Sequence, residues 1–326
     1  MEINNTPCAL ITGISGQDGT YLAELLLAQG YKVVGTTRNI DTTNQDLPVT
    51  IRNKIKLVSC DTLEQQQITN IIEKHKPIEI YNFAAYSSGA GMYDDPVSIS
   101  KVNGLWVTLI LEAIRSVDSS IRFCQASSSE LFGFADESPQ SETTNFKPRS
   151  PYGAAKLYAH SMIEIYRQRY GLFACSAILF NHESPRRGLE FVTRKITNGA
   201  AKIKLGLAEE LNLGNLEARR DWGFAGDYVY AMFLMLKNKE PGDYVIATGQ
   251  TRSVRELCEM AFNCLGLNYL DYVHVDESAY RPVESCQLVG NADKAKNILG
   301  WKPKINFQEL VKMMVEADMQ ILSENT

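Results

Sequence analysis

The sequence predicts an α/β fold: a doubly wound, mostly parallel sheet with a smaller α/β lobe attached. Three observations carry this. CALITGISGQDGTYLAELLLAQGYKVVGTTR reads as strand, glycine-rich turn, amphipathic helix and strand. Buried apolar runs such as IEIYNFAA, IRFCQASS and GLFACSAILF then alternate with helical periods up to about residue 180. Hydroxyl, amide and carboxylate side chains fall at the carboxyl ends of those runs, where open parallel sheets bind their ligands.

Composition narrows the class. With 326 residues, 44% hydrophobic and 22% charged, the chain has the make-up of an ordinary globular protein able to bury a large core. A net charge of −5 advertises neither a nucleic-acid partner nor an anionic membrane. No apolar run approaches a membrane span, and MEINNTPCALITG lacks a basic start and a cleavage signal. The seven cysteines are scattered without a C-x-x-C pair, as expected of reduced thiols in the cytoplasm. Four histidines (His75, His160, His182, His274) share no spacing, so no metal site is expected.

Taken in order, Gly13, Gly16 and Gly19 form G-x-x-G-x-x-G between the first strand and its helix. The first permits a tight turn, the second a close approach of backbone N–H groups to a pyrophosphate, and the third helix-on-strand packing. This is a Rossmann-type dinucleotide signature, and Gln17 and Asp18 lie inside it as candidate cofactor contacts. The second strand ends in Arg38 with no carboxylate beside it. Arginine suits a ribose 2′-phosphate, so NADP is expected in preference to NAD, unless Arg38 is merely a solvated strand end. Asp61 closes the third strand, within reach of an adenine. The fourth runs into Ala84 and Ser87, small residues that let the chain pass close to a nicotinamide.

The fifth strand ends in Ser127, Ser128 and Ser129, followed by Glu130, and the next helix opens SPYGAAK. Tyr152 and Lys156 are four residues apart and share one helical face. An ammonium beside a phenol favours the phenolate, which predicts a lowered Tyr152 pKa and a base near neutral pH. A bare Y-x3-K is more often a surface tyrosine above a solvated lysine. The convergence of Ser128, Glu130 and Asn181 at neighbouring strand ends favours the chemical reading.

The pieces ALITGISGQDGTYLAELLL, ASSSELFG, PRSPYGAAKLYAH, ILFNHESPRRGLEFVTRKI, LGNLEARRDWGFAGDYV and RPVESCQLVGNADKAKNILGWKP run almost end to end. Together they resemble the extended short-chain dehydrogenases/reductases, and within them the nucleotide-sugar 4,6-dehydratases that act on GDP-mannose. The resemblance implies an NADP-binding domain over 1–180 and a nucleotide-sugar-binding lobe over 181–326, with segments within 213–250 returning to the first domain. It implies Tyr152 and Lys156 as the pair acting at sugar O4, with both also touching the cofactor. Ser128 would hold O4 and Glu130 would act at C5 and C6. Ser87, Asn181, Arg187, Val192, Lys195, Arg219, Arg281 and Glu284 would bind the GDP-sugar, Arg219 and Arg281 on the diphosphate and Glu284 on the ribose. His182, Asp221 and Trp222 read as structural braces. A homodimer through the helices LWVTLILEAIRSV and LYAHSMIEIYRQRY is implied, and in the family a homotetramer.

Four positions depart from the pattern: Asn39 stands where a second arginine is usual, Ser128 replaces a threonine, and Tyr86 and Ser88 replace a glutamine and a bulky residue. The last change predicts a reshaped sugar pocket and a GDP-sugar other than mannose, such as a GDP-manno-heptose. A GDP-4-keto-sugar reductase or epimerase would use the same Tyr152 and Lys156 without needing Glu130. A catalytically silent NADP-binding protein would need none of these residues.

Overall fold

The computed structural model describes residues 6–86, 93, 95–276 and 287–324 of the chain. The first part alternates strands and helices: β1 (Cys8–Thr12), α1 (Gln17–Ala28), β2 (Lys32–Thr37), α2 (Ile40–Asp46), α3 (Val49–Arg52), β3 (Lys56–Ser59), α4 (Gln65–His75) and β4 (Glu79–Asn82). Then come α5 (Pro96–Ser100), α6 (Trp106–Val117), β5 (Arg122–Ala126), α7 (Pro151–Tyr170) and β6 (Ala174–Leu179). After these follow β7 (Asn181–Glu183), α8 (Val192–Lys204), β8 (Leu211–Leu213), β9 (Arg219–Phe224), α9 (Ala225–Lys237) and β10 (Asp243–Ile246). The chain ends with β11 (Thr251–Ser253), α10 (Val254–Asn263), β12 (Val273–Val275), α11 (Asp293–Leu299) and α12 (Phe307–Glu324).

Seven parallel strands form one sheet in the order β10-β6-β5-β4-β1-β2-β3. The order reverses between β1 and β4, which opens a crevice at the carboxyl ends of those two strands. Successive side chains alternate between faces: Ala9 and Ile11 point to one core, Leu10 to the other. The first core lies under α1 and α9 and includes Leu22, Leu26, Tyr228 and Met232; the second holds Ile110, Phe123 and Ile163 between the sheet and α4, α6 and α7. With both faces covered, β4 and β6 are buried along their whole length, as the unbroken apolar runs imply.

Within the later half, α9 and β10 rejoin the large sheet, β10 as its edge strand beside β6. The rest forms the smaller lobe: β7, β9 and β11 in one sheet, the parallel pair β8 and β12, and α8, α10 and α12 around Ile196, Leu213, Trp222, Leu257 and Val311. Arg194 donates to Asp318 at 2.5 Å, both side chains buried, which pins α8 to α12. The same guanidinium also donates to the carbonyls of Pro185 and Arg187, fixing the turn before α8.

The helical stretch Pro96–Val117, with a π-helical turn at Lys101–Leu105, is 22 residues long and apolar enough to cross a membrane by length and composition. This corrects the expectation that no run approaches a span. The stretch is apolar because half of it is buried, with α6 packed against α4 and α7.

Candidate active site

The glycine-rich turn sits at the switch point and has the shape that a dinucleotide requires. Gly13 has φ +69°, and a Cβ there would lie 2.8 Å from the backbone of Phe83 and Ala84. A Cβ on Gly19 would lie 2.4 Å from the Gly13 carbonyl, so α1 packs onto the turn only through glycine. Gly16 precedes α1 without a side-chain cap, leaving the first N–H groups of a 12-residue helix for an anion. The buried Ser127 Oγ has no hydrogen-bond partner among the described residues, as befits a donor shaped for a bound group. These features fit a nicotinamide dinucleotide lying over β1 and β4.

A buried relay of polar groups ties the strand ends together. Thr12 and Trp106 donate to Asn82 Oδ1, and Asn82 Nδ2 donates to Gln125 Oε1 at 2.6 Å. Gln125 Nε2 donates to the Ala126 carbonyl at 2.7 Å, and Lys156 Nζ donates to that same carbonyl at 2.8 Å. Ala84 N reaches Thr12 Oγ1 at 3.3 Å, so the chain leaving β4 is held against the glycine turn.

Ser128, Glu130 and Tyr152 come together at the mouth of β5. Ser128 Oγ caps the short turn that carries Glu130, accepting from Glu130 N, and its hydroxyl favours the ionised form of the Tyr152 phenol. Ser150 caps α7 by accepting from Gly153 N, which sets Tyr152 in the first turn and Lys156 one turn on. Lys156 Nζ lies 5.6 Å from the centroid of the Tyr152 ring. Burial pushes the Tyr152 phenol up to about 12, aided by the charges of Glu130 and Asp18 and opposed by Ser128 and Arg187. Burial also brings Lys156 down to about 8. The expected depression of the tyrosine pKa by lysine is therefore corrected: desolvation outweighs charge, and the lysine ammonium turns to a carbonyl rather than to the phenol oxygen.

Gln17 and Asp18 use their side chains inside the protein. Gln17 Nε2 donates to the His182 carbonyl at 3.0 Å, Ser184 Oγ donates to Gln17 Oε1 at 2.7 Å, and Asp18 Oδ2 meets His182 Nε2 at 2.9 Å. Burial works against the Asp18 charge, but His182 and Arg187 outweigh it and hold that carboxyl low. For His182, burial is outweighed by Asp18, which raises its pKa. Arg187, expected on the nucleotide sugar, thus directs its charge toward Asp18 and Tyr152 while pairing with Glu183 at 3.3 Å. His182 belongs with it at the glycine turn; the sequence offered no signal beyond its place at a strand end.

The remaining predicted residues are placed as follows. Arg38 is exposed just past β2 and Asp61 just past β3, where Asp61 accepts from Leu63 N. Asn39 caps α2 through the N–H groups of Asp41 and Thr42, which gives this departure from the family pattern a structural use. Asn181 starts β7; Val192 and the exposed Lys195 lie in the first turn of α8. Arg219 on β9 donates to the Thr251 carbonyl at 3.0 Å and pairs with Glu256. Asp221 accepts from the N–H groups of Thr248, Gly249 and Gly290, bracing the ends of three segments, while burial lifts its pKa. Ser87, Ser88, Arg281 and Glu284 lie outside the described residues. One residue not singled out from the sequence is Asn103: within the π-helical turn it accepts from Tyr86 N at 2.9 Å and donates to Tyr86 O at 3.0 Å, clamping the chain beyond β4.

A seven-stranded parallel sheet, a glycine turn at its switch point and a serine–tyrosine–lysine set at the next strand end define an extended short-chain dehydrogenase/reductase fold. Solved structures agree on that fold. A UDP-glucose 4-epimerase from Thermotoga maritima with UDP-glucose superposes with a TM-score of 0.86 at 23% identity, covering 97% of this chain and 99% of that one. A dTDP-glucose 4,6-dehydratase from Bacillus anthracis in complex with NAD gives 0.83 at 20%, with 97% of each chain covered. RMD from Pseudomonas aeruginosa complexed with NADPH gives 0.82 at 24%, covering 97% and 100%. The chain belongs to the GDP-mannose 4,6 dehydratase family, whose model matches residues 10–314. It is 48% identical to GDP-mannose 4,6 dehydratase 2 of Arabidopsis thaliana, over 96% of this chain and 87% of that one. It is 45% identical to the Homo sapiens GDP-mannose 4,6 dehydratase, over 97% and 92%.

Replacing Lys156 by methionine removes a buried cation and leaves the Ala126 carbonyl still bonded to Gln125. Lys156→Met is expected to abolish turnover and to stabilise nucleotide-free protein by on the order of 1–3 kcal/mol at pH 7. A folded-state pKa of about 8, below the unfolded value, means the unfolded chain binds the extra proton in between. Wild type therefore gains stability relative to the variant as pH rises through and above 8, and loses it as pH falls. Thermal unfolding of both proteins across that window checks the sign.

Proposed function

We propose that the chain converts GDP-mannose to GDP-4-keto-6-deoxymannose, using NADP held in place through the cycle. When bound, the nicotinamide supplies the redox chemistry, taking a hydride from C4 of the hexose and giving one to C6. Tyr152 accepts the O4 proton, with Ser128 beside the phenol to hold O4, while Lys156 is anchored beside the ring. Glu130 takes the C5 proton, made acidic by the neighbouring ketone, and passes it to the C6 hydroxyl, which departs as water. A solvent proton re-enters at C5, so the sugar undergoes no net oxidation.

The observation that carries this reading is the Glu130 carboxylate, beside Ser128 and Tyr152, with its Oε2 buried and lacking a hydrogen-bond partner among the described residues. A reductase or epimerase has no task for it, and an oxygen left in that state costs stability unless it serves a ligand. NADP rather than NAD is favoured by Arg38, exposed past β2, a strand that ends without a carboxylate. Asn181, Val192, Lys195 and Arg219 face the GDP-sugar in this reading, and Arg187 and His182 belong to the cofactor side. A homodimer is favoured by an apolar stripe across α6 and α7. Leu105, Tyr158 and Ile165 are exposed there, and Thr108 is bonded to Tyr158.

Purified protein given GDP-mannose without added cofactor should release the 4-keto-6-deoxy sugar. Glu130→Gln should lower that rate by about 10²–10⁴-fold with folding unchanged. Slow conversion of GDP-mannose beside rapid conversion of a GDP-manno-heptose would transfer the assignment to the bulkier sugar suggested by Tyr86. Arg38→Asp should weaken NADPH binding about 10- to 100-fold and spare NADH; equal losses in a fluorescence titration would refute the 2′-phosphate assignment. Ile165→Lys with Leu105→Lys should yield monomers by light scattering, and an unchanged mass would place the interface elsewhere.

A further inference from the structure

The loop that leaves Glu130 returns to it, and its stitching sets a cation against the carboxylate. Lys147 N donates to the Leu131 carbonyl at 3.0 Å and Phe134 N to the Lys147 carbonyl at 2.9 Å, so the outgoing and returning chains run side by side. Gly133 turns the chain at φ +48°, and a Cβ there would lie 2.2 Å from Lys147 O and 2.8 Å from Arg149 N. On the far side, a Cβ on Gly153 would lie 2.6 Å from the Glu130 carbonyl, so the start of α7 closes on the same turn. Arg149 is thereby held between two fixed points. Its Nε stands 3.6 Å from Glu130 Oε2, the two side chains only 16% and 19% exposed. That spacing is an ion pair without a hydrogen bond, and among the described residues Oε2 has no hydrogen-bond donor.

We propose that Arg149 is a positioning residue for the elimination half of the reaction. It stabilises the negative charge on Glu130, aims the open oxygen at C5, and itself exchanges no atom. This rests on Glu130 being the C5 base. The carboxylate takes the C5 proton and the C–H electron pair becomes the C4 enolate. The enolate then expels the C6 hydroxyl, which leaves as water with the proton Glu130 carries, and a C5–C6 double bond remains. A guanidinium beside the protonated carboxyl favours release of that proton to the leaving hydroxyl. In the first transfer its contribution is to aim the oxygen at C5, since the same charge does not make the carboxylate a stronger base. Oxidation at C4 is the work of Tyr152 and does not need Arg149.

Single turnovers of Arg149→Met, Arg149→Lys and Glu130→Gln with GDP-mannose test this, following reduced-nicotinamide absorbance and deuterium uptake at C5 in heavy water. Calorimetric titration of GDP-mannose gives the binding readout. Arg149→Met should cut kcat about 10- to 100-fold, part of what a positioned acid–base supplies. Its KM and affinity for GDP-mannose should stay within about threefold. Reduced nicotinamide should accumulate, C5 deuterium uptake should slow, and Arg149→Lys should restore most of the rate. If the methionine variant does not fold, Arg149→Gln takes its place under the same expectations. The inference falls if Arg149→Met eliminates water at the wild-type rate, or if it slows oxidation equally or loses affinity. Should Glu130→Gln also eliminate normally, the assignment of Glu130 falls with it. A blocked Glu130→Gln beside a normal Arg149→Met removes the Arg149 role alone.

Discussion

The site depends on a line of amides in the interior of the sheet. Asn82 and Gln125, both essentially without solvent exposure, pass hydrogen bonds from Thr12 on β1, across β4 and β5, to the carbonyl that receives Lys156. In a low-dielectric interior such a chain is strong when complete and costly when broken. It sets the relative height of three strand ends at the switch point. A shift of one strand would leave an amide unpaired, so the glycine turn, Ala84 and the Tyr152 helix keep one alignment.

Around that frame, burial governs protonation more than charge does. Tyr152 and Lys156 move in opposite directions, the phenol up and the ammonium down, because each loses water on entering the site. Both shifts favour the uncharged forms relative to the free side chains, although at about 8 the Lys156 ammonium still predominates at neutral pH. Charged groups are paired around them: Asp18 with His182 at the glycine turn, Arg187 with Glu183, and Glu130 with Arg149. The two acid–base candidates, Tyr152 and Glu130, thus divide by their surroundings. The division is physical, since Glu130 faces a fixed cation whereas Tyr152 faces a hydroxyl and a carbonyl-bound amine.

Much of this could be read along the chain. The switch-point sheet followed from β-α-β alternation, because hydrophobic period and glycine spacing are local properties. Ser128, Glu130 and Tyr152 were legible because each sits at a strand end or in the first turn of a helix. The sign of the Tyr152 shift was not legible: spacing on a helix says that Lys156 is near, but not that its ammonium turns toward Ala126 O. Asp18 and His182 are far apart in sequence, and no local pattern announces that their side chains meet. Asn103 was missed for the same reason, its role arising from a π-turn that sequence periodicity does not mark.

Local patterns thus settle which elements form and which chemical groups stand at their ends, since periodicity, capping and glycine tolerance act over a few residues. Folding adds the things that need distant segments in one place: how deeply Tyr152 and Lys156 are buried, and which carbonyl the amine meets. It also decides which acid His182 holds and which guanidinium faces Glu130. Desolvation and pairing at short range depend on three-dimensional neighbours, and those exist only once the sheet has brought β1, β4, β5 and α7 together.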